Sequence, residues 1–160
     1  MTVRSAPAGD PVDLQPARLR DVGEIYRLEK RCFQRDAWPW IDILAVLVFP
    51  ETVRIKALRA GVIAGYVIGD RRRHSGLGWI ASIGVHPDHR RNGIGRLLLE
   101  ACEHELGMDR IRLTLRRSNR EAMALYVTCG YVPVDTWKRY YRDGEDGIVM
   151  EKSLTGGHPE

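Results

Sequence analysis

Hydrophobic and polar residues follow a helical period in three parts of this chain, and a fourth part is an apolar run that periodicity does not classify. Apolar residues recur three or four positions apart in Val22–Phe33, Ile94–Cys102 and Ala122–Cys129. Glu29 is the one polar residue on the apolar face of the first stretch. The crowded apolar run Ile41–Val48, closed by Pro50, predicts a further short helix, the second in chain order.

The ends of these helices carry residues that typically start or stop a helix. Asp21 and Glu24, three positions apart, predict a capping box at the start of the first helix. Asn119 is a good N-cap for the fourth helix. Gly107 and Gly130 follow the third and fourth helices and predict left-handed C-terminal caps.

The other patterned segments alternate apolar and polar residues, or carry β-branched runs, which predicts strands. In chain order they are Val12–Leu19, Thr52–Ala57, Val62–Gly69, Trp79–Val85, Arg110–Arg116, Tyr131–Arg139 and Gly147–Lys152. Ala60-Gly61 predicts a hairpin turn, and the polar stretch Arg71–Gly78 predicts a loop. The order β-α-α-β-β-β-α-β-α-β-β indicates a mixed α/β fold.

Composition limits the class of protein and its location. The 160 residues suit one domain, which we place at 13–154 between flexible ends at 1–12 and 155–160. The net charge of +4 is too small to predict nucleic-acid binding, and no apolar run predicts a membrane span. Three cysteines without a CxxC pair, and an N-terminus without an apolar core, predict a reduced cytoplasmic protein.

The segment between Ile83 and Leu97 has the character of an anion site. The first N–H groups of a helix lack internal partners and attract phosphate. Two glycines remove side chains that would keep an anion away, and three arginines add positive charge. These residues are Gly93, Gly95, Arg90, Arg91 and Arg96. We expect the segment to hold a pyrophosphate.

Two well-known phosphate motifs do not fit this segment. A P-loop needs a Gly-Lys pair, which the chain lacks. A dinucleotide-binding fold needs a third glycine, and Leu98 occupies that position.

A second block follows this loop, with the pattern Asn119-x-x-Ala122-x-x-Leu125-Tyr126-x-x-x-Gly130-Tyr131. Together with Arg90-x-x-Gly93-x-Gly95, it resembles the acetyl-CoA motif and the following strand–helix block of the GNAT superfamily of N-acetyltransferases. Shorter motifs are similar to the RimI-like ribosomal-protein alanine and protein N-terminal acetyltransferases. They are Pro39-Trp40, Arg116-x-Ser118-Asn119 and Arg139-Tyr140-Tyr141 ahead of Asp143-Gly144.

The resemblance implies a fold and a donor site. A GNAT fold has a mixed, mostly antiparallel sheet of about seven strands, splayed between the fourth and fifth, with about four helices. Acetyl-CoA would be the co-substrate, its pantetheine arm lying in the opening against the backbone of Ile83 and Val85. The implied donor-binding residues are Ile83, Gly84, Val85, Arg90, Arg91, Asn92, Gly93, Ile94, Gly95, Arg96, Asn119 and Tyr126.

The same resemblance assigns the catalytic chemistry. Tyr126 would protonate the departing thiolate as general acid, since a phenol stays protonated at neutral pH. Tyr140 and Tyr141 would bind the acceptor. RimI-like enzymes carry a carboxylate as general base where this chain has Thr114, which cannot act as a base at neutral pH.

The general base is therefore unassigned. An ordered water held by Thr114 would be one solution, and Glu29, His74 and His86 are further candidates that no pattern supports. His86 and His89 lack additional ligands nearby in the sequence, so we expect no metal.

These residues predict an N-acetyltransferase in which the amine attacks the thioester directly in a ternary complex. At neutral pH about one α-amine in ten is uncharged, against about one lysine in 2,500, so a weak base favours a protein N-terminus such as that of a ribosomal protein. A small amine or a protein lysine stays open as acceptor, as does a CoA-binding sensor or interaction module that lacks catalysis. We expect a monomer or a homodimer, without membrane or nucleic-acid partners.

Overall fold

The computed structural model describes residues 9–155 of the chain. It has seven strands, β1 Val12–Pro16, β2 Thr52–Arg59, β3 Val62–Arg72, β4 Leu77–Val85, β5 Arg110–Arg116, β6 Val132–Trp137 and β7 Gly147–Ser153. Its α-helices are α1 Val22–Phe33, α2 Trp40–Val46, α3 Ile94–Leu106 and α4 Arg120–Thr128. Most of the two predicted flexible ends lies outside the described residues.

The seven strands form one sheet in the order β1-β2-β3-β4-β5-β7-β6. Every neighbouring pair is antiparallel except β4 and β5, which are parallel. These two strands pair only at Leu77, Gly78 and Trp79 of β4, and diverge beyond Trp79. The predicted α/β fold and the splay between the fourth and fifth strands are confirmed.

A β-bulge at Ala81 lies at the start of this opening. Ile68 of β3 is opposite Ser82, whereas the next residue, Gly69, is opposite Ile80, so Ala81 has no partner in the ladder. One extra residue reverses the alternation of side chains between the two faces of a strand. Ser82 is buried against α1, where it bonds Glu29, while Ile83 packs in the other core.

Two apolar cores, one on each face of the sheet, hold the helices in place. The helices α1 and α2 cover one face through Ile25, Leu28 and Ile43, which pack on strand residues such as Ile68. The helices α3 and α4 pack in the larger core on the opposite face. The β4–β5 opening lies between these two layers, which makes it accessible from both.

The structure corrects two predictions from the sequence. The predicted loop Arg71–Gly78 is wrong, because β3 and β4 extend toward each other and leave only a short turn at residues 73–75. The capping box is also wrong. The Asp21 side chain does not cap α1 but accepts a 2.7 Å hydrogen bond from the backbone N–H of Arg18, and its other oxygen accepts one of 2.9 Å from Lys56.

Three other helix-end predictions are confirmed. The side chain of Asn119 accepts a hydrogen bond from the N–H of Ala122, as an N-cap does. Gly107 and Gly130 have φ of +60° and +95° after α3 and α4.

In residues 9–155 no helix has both the length and the apolar character needed to cross a membrane.

Candidate active site

The predicted anion site lies beside a cavity of about 490 Å³ at the N-terminus of α3. Eleven of the twelve predicted donor-binding residues line it: Ile83, Gly84, Val85, Arg90, Arg91, Gly93, Ile94, Gly95, Arg96, Asn119 and Tyr126. The open N–H groups of the helix, its dipole and the arginines all favour a negatively charged group here. The cavity therefore suits the diphosphate of a nucleotide.

Asn92, the twelfth residue, lies outside the lining of this cavity. Its side-chain amide donates hydrogen bonds of 3.2 and 3.3 Å to the backbone carbonyls of His89 and Arg90. The Arg90 guanidinium donates in turn to the carbonyl of Val85, at 3.0 Å. These contacts stabilise the conformation of the loop, so Asn92 has a structural role in the loop.

The two glycines of the loop have different structural reasons. Gly93, the N-cap of α3, has φ of +76°, a conformation that strains any residue with a side chain, although a Cβ there would meet no atom within 4 Å. Gly95 has an ordinary φ, but its Cβ would lie 3.3 Å from a methyl group of Leu125. Gly93 is thus favoured by backbone conformation, whereas at Gly95 a Cβ would make a tight contact between α3 and α4.

Replacement of Gly93 by Ala should lower both the stability and the affinity for CoA. The left-handed backbone costs an alanine about 1 kcal/mol, and its relaxation turns the helix N–H groups away from the diphosphate. We expect a dissociation constant about tenfold higher by calorimetry, equivalent to about 1.4 kcal/mol.

The matched control is Gly107→Ala at the other end of α3. Gly107 also has a left-handed φ, and its Cβ would likewise lie in open space. It should cost similar stability while leaving CoA affinity at the wild-type value. Equal affinity losses in both variants would contradict a specific role for the Gly93 turn.

A second cavity, of about 590 Å³, opens on the α1/α2 face of the sheet. Eight aromatic side chains line it: Phe33, Trp38, Phe49, Trp79, Tyr126, Trp137, Tyr140 and Tyr141. Trp137 stacks on Trp79 with ring centroids 5.7 Å apart and lies 5.1 Å from Tyr140. We call this cavity the acceptor groove.

Arg116 holds the two loops that border the acceptor groove. Its guanidinium donates to Asp36 on the segment after α1, at 2.8 Å, and to Asp143 and Glu145 between β6 and β7, at 2.8 and 2.9 Å. It also lies over the Tyr141 ring, 4.3 Å from its centroid. The sequence motif contained Arg116, but the pattern alone did not indicate that it joins segments far apart in the chain.

We call the cavity at the N-terminus of α3 the donor cavity. It shares a wall with the acceptor groove. Five residues line both: Phe33, Ile83, Asn119, Ala122 and Tyr126. Tyr126 is 8% exposed, and burial raises the pKa of its phenol well above the ordinary 10.0. Burial would shift the pKa of a thiol in the same place upward as well, so a thiolate released there remains able to accept a proton from Tyr126.

Thr114 occupies the position at which the resemblance to RimI-like enzymes implies a catalytic carboxylate. Thr114 lines the acceptor groove, and its hydroxyl oxygen is buried with no hydrogen-bond partner among residues 9–155. Of the three other candidates, only Glu29 lines this groove. His74 is exposed in the turn after β3, and His86 lies beside Arg31, with Nε2 2.7 Å from that guanidinium. In the described part of the chain no three metal-ligating side chains form a group.

A split sheet with an anion-binding cavity at a helix N-terminus, and an aromatic groove that shares a wall with it, suits a transferase that holds an acyl-nucleotide donor and an acceptor at the same time. A family model for the acetyltransferase (GNAT) family matches residues 19–131, and the chain belongs to this family. It is an acetyl-CoA-dependent acyltransferase, and the resemblance drawn from its motifs is confirmed.

Proteins similar in sequence or structure match nearly all of the chain. An N-alpha-acetyltransferase of Saccharolobus solfataricus is 38% identical over 160 residues, which are 91% of this chain and 95% of the relative. The catalytic subunit of the N-terminal acetyltransferase A complex of Arabidopsis thaliana is 29% identical, over 96% of this chain and 78% of that protein. The crystal structure of the ribosomal-protein-S18-alanine N-acetyltransferase from Escherichia coli is similar with a TM-score of 0.80 and 26% identity, covering 93% of this chain and 99% of that one.

Proposed function

We propose that the protein transfers the acetyl group of acetyl-CoA to the N-terminal α-amine of a peptide or protein, such as a ribosomal protein. The relatives named above, which act on protein N-termini by name, support this acceptor. We further propose that it works as a monomer or a homodimer in the cytoplasm.

The shared wall between the two cavities carries the proposal. Donor and acceptor can occupy the two cavities and meet where Ile83 and Tyr126 line both of them. Holding two reactants in line turns a bimolecular reaction into an effectively unimolecular one, which can supply about 7–11 kcal/mol of the barrier. Direct attack by the amine then needs no acetylated enzyme residue.

In this proposal each group of residues has one task. The N-terminus of α3, with Arg90, Arg91 and Arg96, holds the diphosphate. Beyond Trp79 the edge of β4 has no β5 partner, and the backbone of Ile83 and Val85 there aligns the pantetheine arm and polarises the thioester carbonyl. Other residues line the path of the arm: Gly84, Ile94 and Asn119.

The acceptor side suits an extended peptide better than a single small amine. Tyr140 and Tyr141 line the acceptor groove together with Trp79 and Trp38. Tyr140 is 53% exposed, so its side chain is accessible to a peptide bound in the groove. A groove of about 590 Å³ accommodates several residues of a chain.

The decisive experiment offers the purified protein acetyl-CoA and three acceptor sets. They are lysine-free peptides with free N-termini, the same peptides with blocked N-termini and one lysine, and a panel of small amines. We expect mass spectrometry to find acetylation of the first set, on the α-amine. Faster modification of the second or third set would contradict the proposal. CoA binding without turnover on any set would favour a sensor.

A further inference from the structure

Glu29 is a buried carboxylate in the wall of the acceptor groove. Its side chain is 1% exposed, because it stands on the apolar face of α1, which packs against the sheet. Its Oε1 accepts a hydrogen bond of 3.1 Å from the backbone N–H of Trp38. Its Oε2 accepts two more, from the hydroxyls of Ser82, at 2.9 Å, and Tyr66.

These three donors suit an ionised carboxylate. An ionised carboxylate has about four acceptor sites, so one site on Oε1 is left over. Hydrogen bonds from neutral donors stabilise the charge without cancelling it. Among residues 9–155 no lysine, arginine or histidine nitrogen lies within the 4.0 Å that defines an ion pair with this carboxylate. Glu29 is therefore a buried carboxylate whose partners in the described chain are all neutral donors.

The location of Glu29 relates this charge to the reaction. Ser82 follows the β-bulge at Ala81 and directly precedes Ile83, which lines both cavities. Trp38, whose backbone N–H donates to Glu29 Oε1, also lines the acceptor groove. The carboxylate thus joins the segment that receives the acceptor to the edge of β4 that receives the donor.

We propose that Glu29 pairs with the protonated α-amine of the acceptor and takes its proton, a task that Thr114 cannot perform. This inference rests on the proposed function. The ammonium and the carboxylate become a neutral amine and a carboxylic acid, whose proton later passes to solvent. The nitrogen lone pair then forms the bond to the acetyl carbonyl carbon, and the carbon–sulfur bond breaks. Tyr126 gives its proton to the sulfur and recovers one from the new amide nitrogen.

The pH dependence of kcat/KM between pH 6 and 8 tests this assignment. If Glu29 takes the proton, wild-type protein uses the ammonium form, which predominates below the α-amine pKa of about 8, and kcat/KM stays nearly constant. The Glu29→Gln variant can use only neutral amine. Its kcat/KM should therefore fall about tenfold for each pH unit below 8.

Neighbouring groups do not titrate in this interval. Burial and the charge of Glu29 hold the pKa of Tyr66, on β3, well above its ordinary 10.0. Burial likewise raises the pKa of Cys32, the next residue on α1 that interacts with Glu29, above 9.0. Ser82 and the Trp38 backbone are neutral donors. A slope between pH 6 and 8 therefore does not come from these side chains.

Two further variants separate charge from structure. Glu24→Gln removes an exposed carboxylate from the same helix and should keep the wild-type profile. Glu29→Asp keeps the charge and should keep a flat profile at a lower rate. Calorimetry with CoA and thermal melting report whether each variant is folded.

Several results would overturn the assignment. Parallel profiles for wild type and Glu29→Gln would make Glu29 a structural residue only. A tenfold fall in kcat/KM for each pH unit in the wild type would show that Glu29 is not the proton acceptor. The same fall in Glu29→Asp, with a flat wild-type profile, would also count against it. The wild-type profile can exclude the assignment even if Glu29→Gln does not fold. Absence of α-amine acetylation by the wild type would instead refute the proposed function.

Discussion

Replacement of Tyr126 by Phe should lower kcat by about 10²–10⁴-fold, the usual contribution of a positioned general acid. The change removes one oxygen from a buried ring that lines both cavities. Without the phenol, the thiolate leaves as an anion in an apolar place, where burial disfavours charge. KM for acetyl-CoA and the calorimetric affinity for CoA should change little, because the ring and its packing remain.

The matched control for this variant is Tyr26→Phe. Tyr26 lies on α1 against Trp40, with ring centroids 5.7 Å apart, and lines neither cavity. It loses the same hydroxyl but should retain full turnover. Unchanged kcat in Tyr126→Phe, measured with an acceptor that the wild type acetylates, would remove the general acid from the mechanism.

Replacement of Asp21 by Ala should reduce the free energy of unfolding by about 3–5 kcal/mol, because it leaves a buried lysine without its partner. Asp21 is 7% exposed and Lys56 is 5% exposed, and Lys56 Nζ lies 2.9 Å from Asp21 Oδ1. For a chain of this size the loss corresponds to a fall in melting temperature on the order of 10 °C. Glu24→Ala, three residues further along, is the control and should cost much less.

The same ion pair predicts how stability changes with pH. Burial acts to raise the pKa of Asp21, but hydrogen bonds from Lys56 and from the Arg18 backbone outweigh it and hold the pKa below 3.8. A carboxyl with a lowered folded-state pKa stabilises the fold above its unfolded pKa and loses that contribution as pH falls through the folded value. The gap in melting temperature between wild type and Asp21→Ala should therefore narrow below about pH 4. A gap that stays constant into acid would show that the charge of Asp21 is not responsible.

Much of the candidate donor site could be predicted because it depends on local sequence. A helix N-terminus, the glycine at its N-cap and the arginines around it are close together in the chain, and eleven of the twelve predicted residues line one cavity. Asn92 differs because its amide turns back to the loop carbonyls, a choice made by three-dimensional geometry. The reason for Gly95 also came from another helix, since Leu125 limits its space.

Acceptor-side features were harder to predict because they join distant segments. Glu29 was visible in the sequence only as a polar residue on an apolar face, and that signal alone did not distinguish a buried carboxylate from a surface one. Its partners Tyr66 and Ser82 are 37 and 53 residues away. Arg116 reaches Asp36 across 80 residues, and no periodic pattern indicates such a contact.

The sequence by itself determined the order of elements and the anion-binding character of the loop before α3, since periodicity, helix caps and the spacing of glycines and arginines are properties of neighbouring residues. The roles expected of Tyr126 and of the position of Thr114 came from the resemblance of its motifs to a known family. Tertiary structure decided the partner of Asp21, the extension of β3 and β4, and the environment of Glu29. These depend on which side chains meet after the sheet has formed, where burial makes a hydrogen-bond partner necessary for each charge. The bulge at Ala81 illustrates this dependence, because a single unpaired residue directs Ser82 toward Glu29 and leaves Ile83 at the boundary between the two cavities.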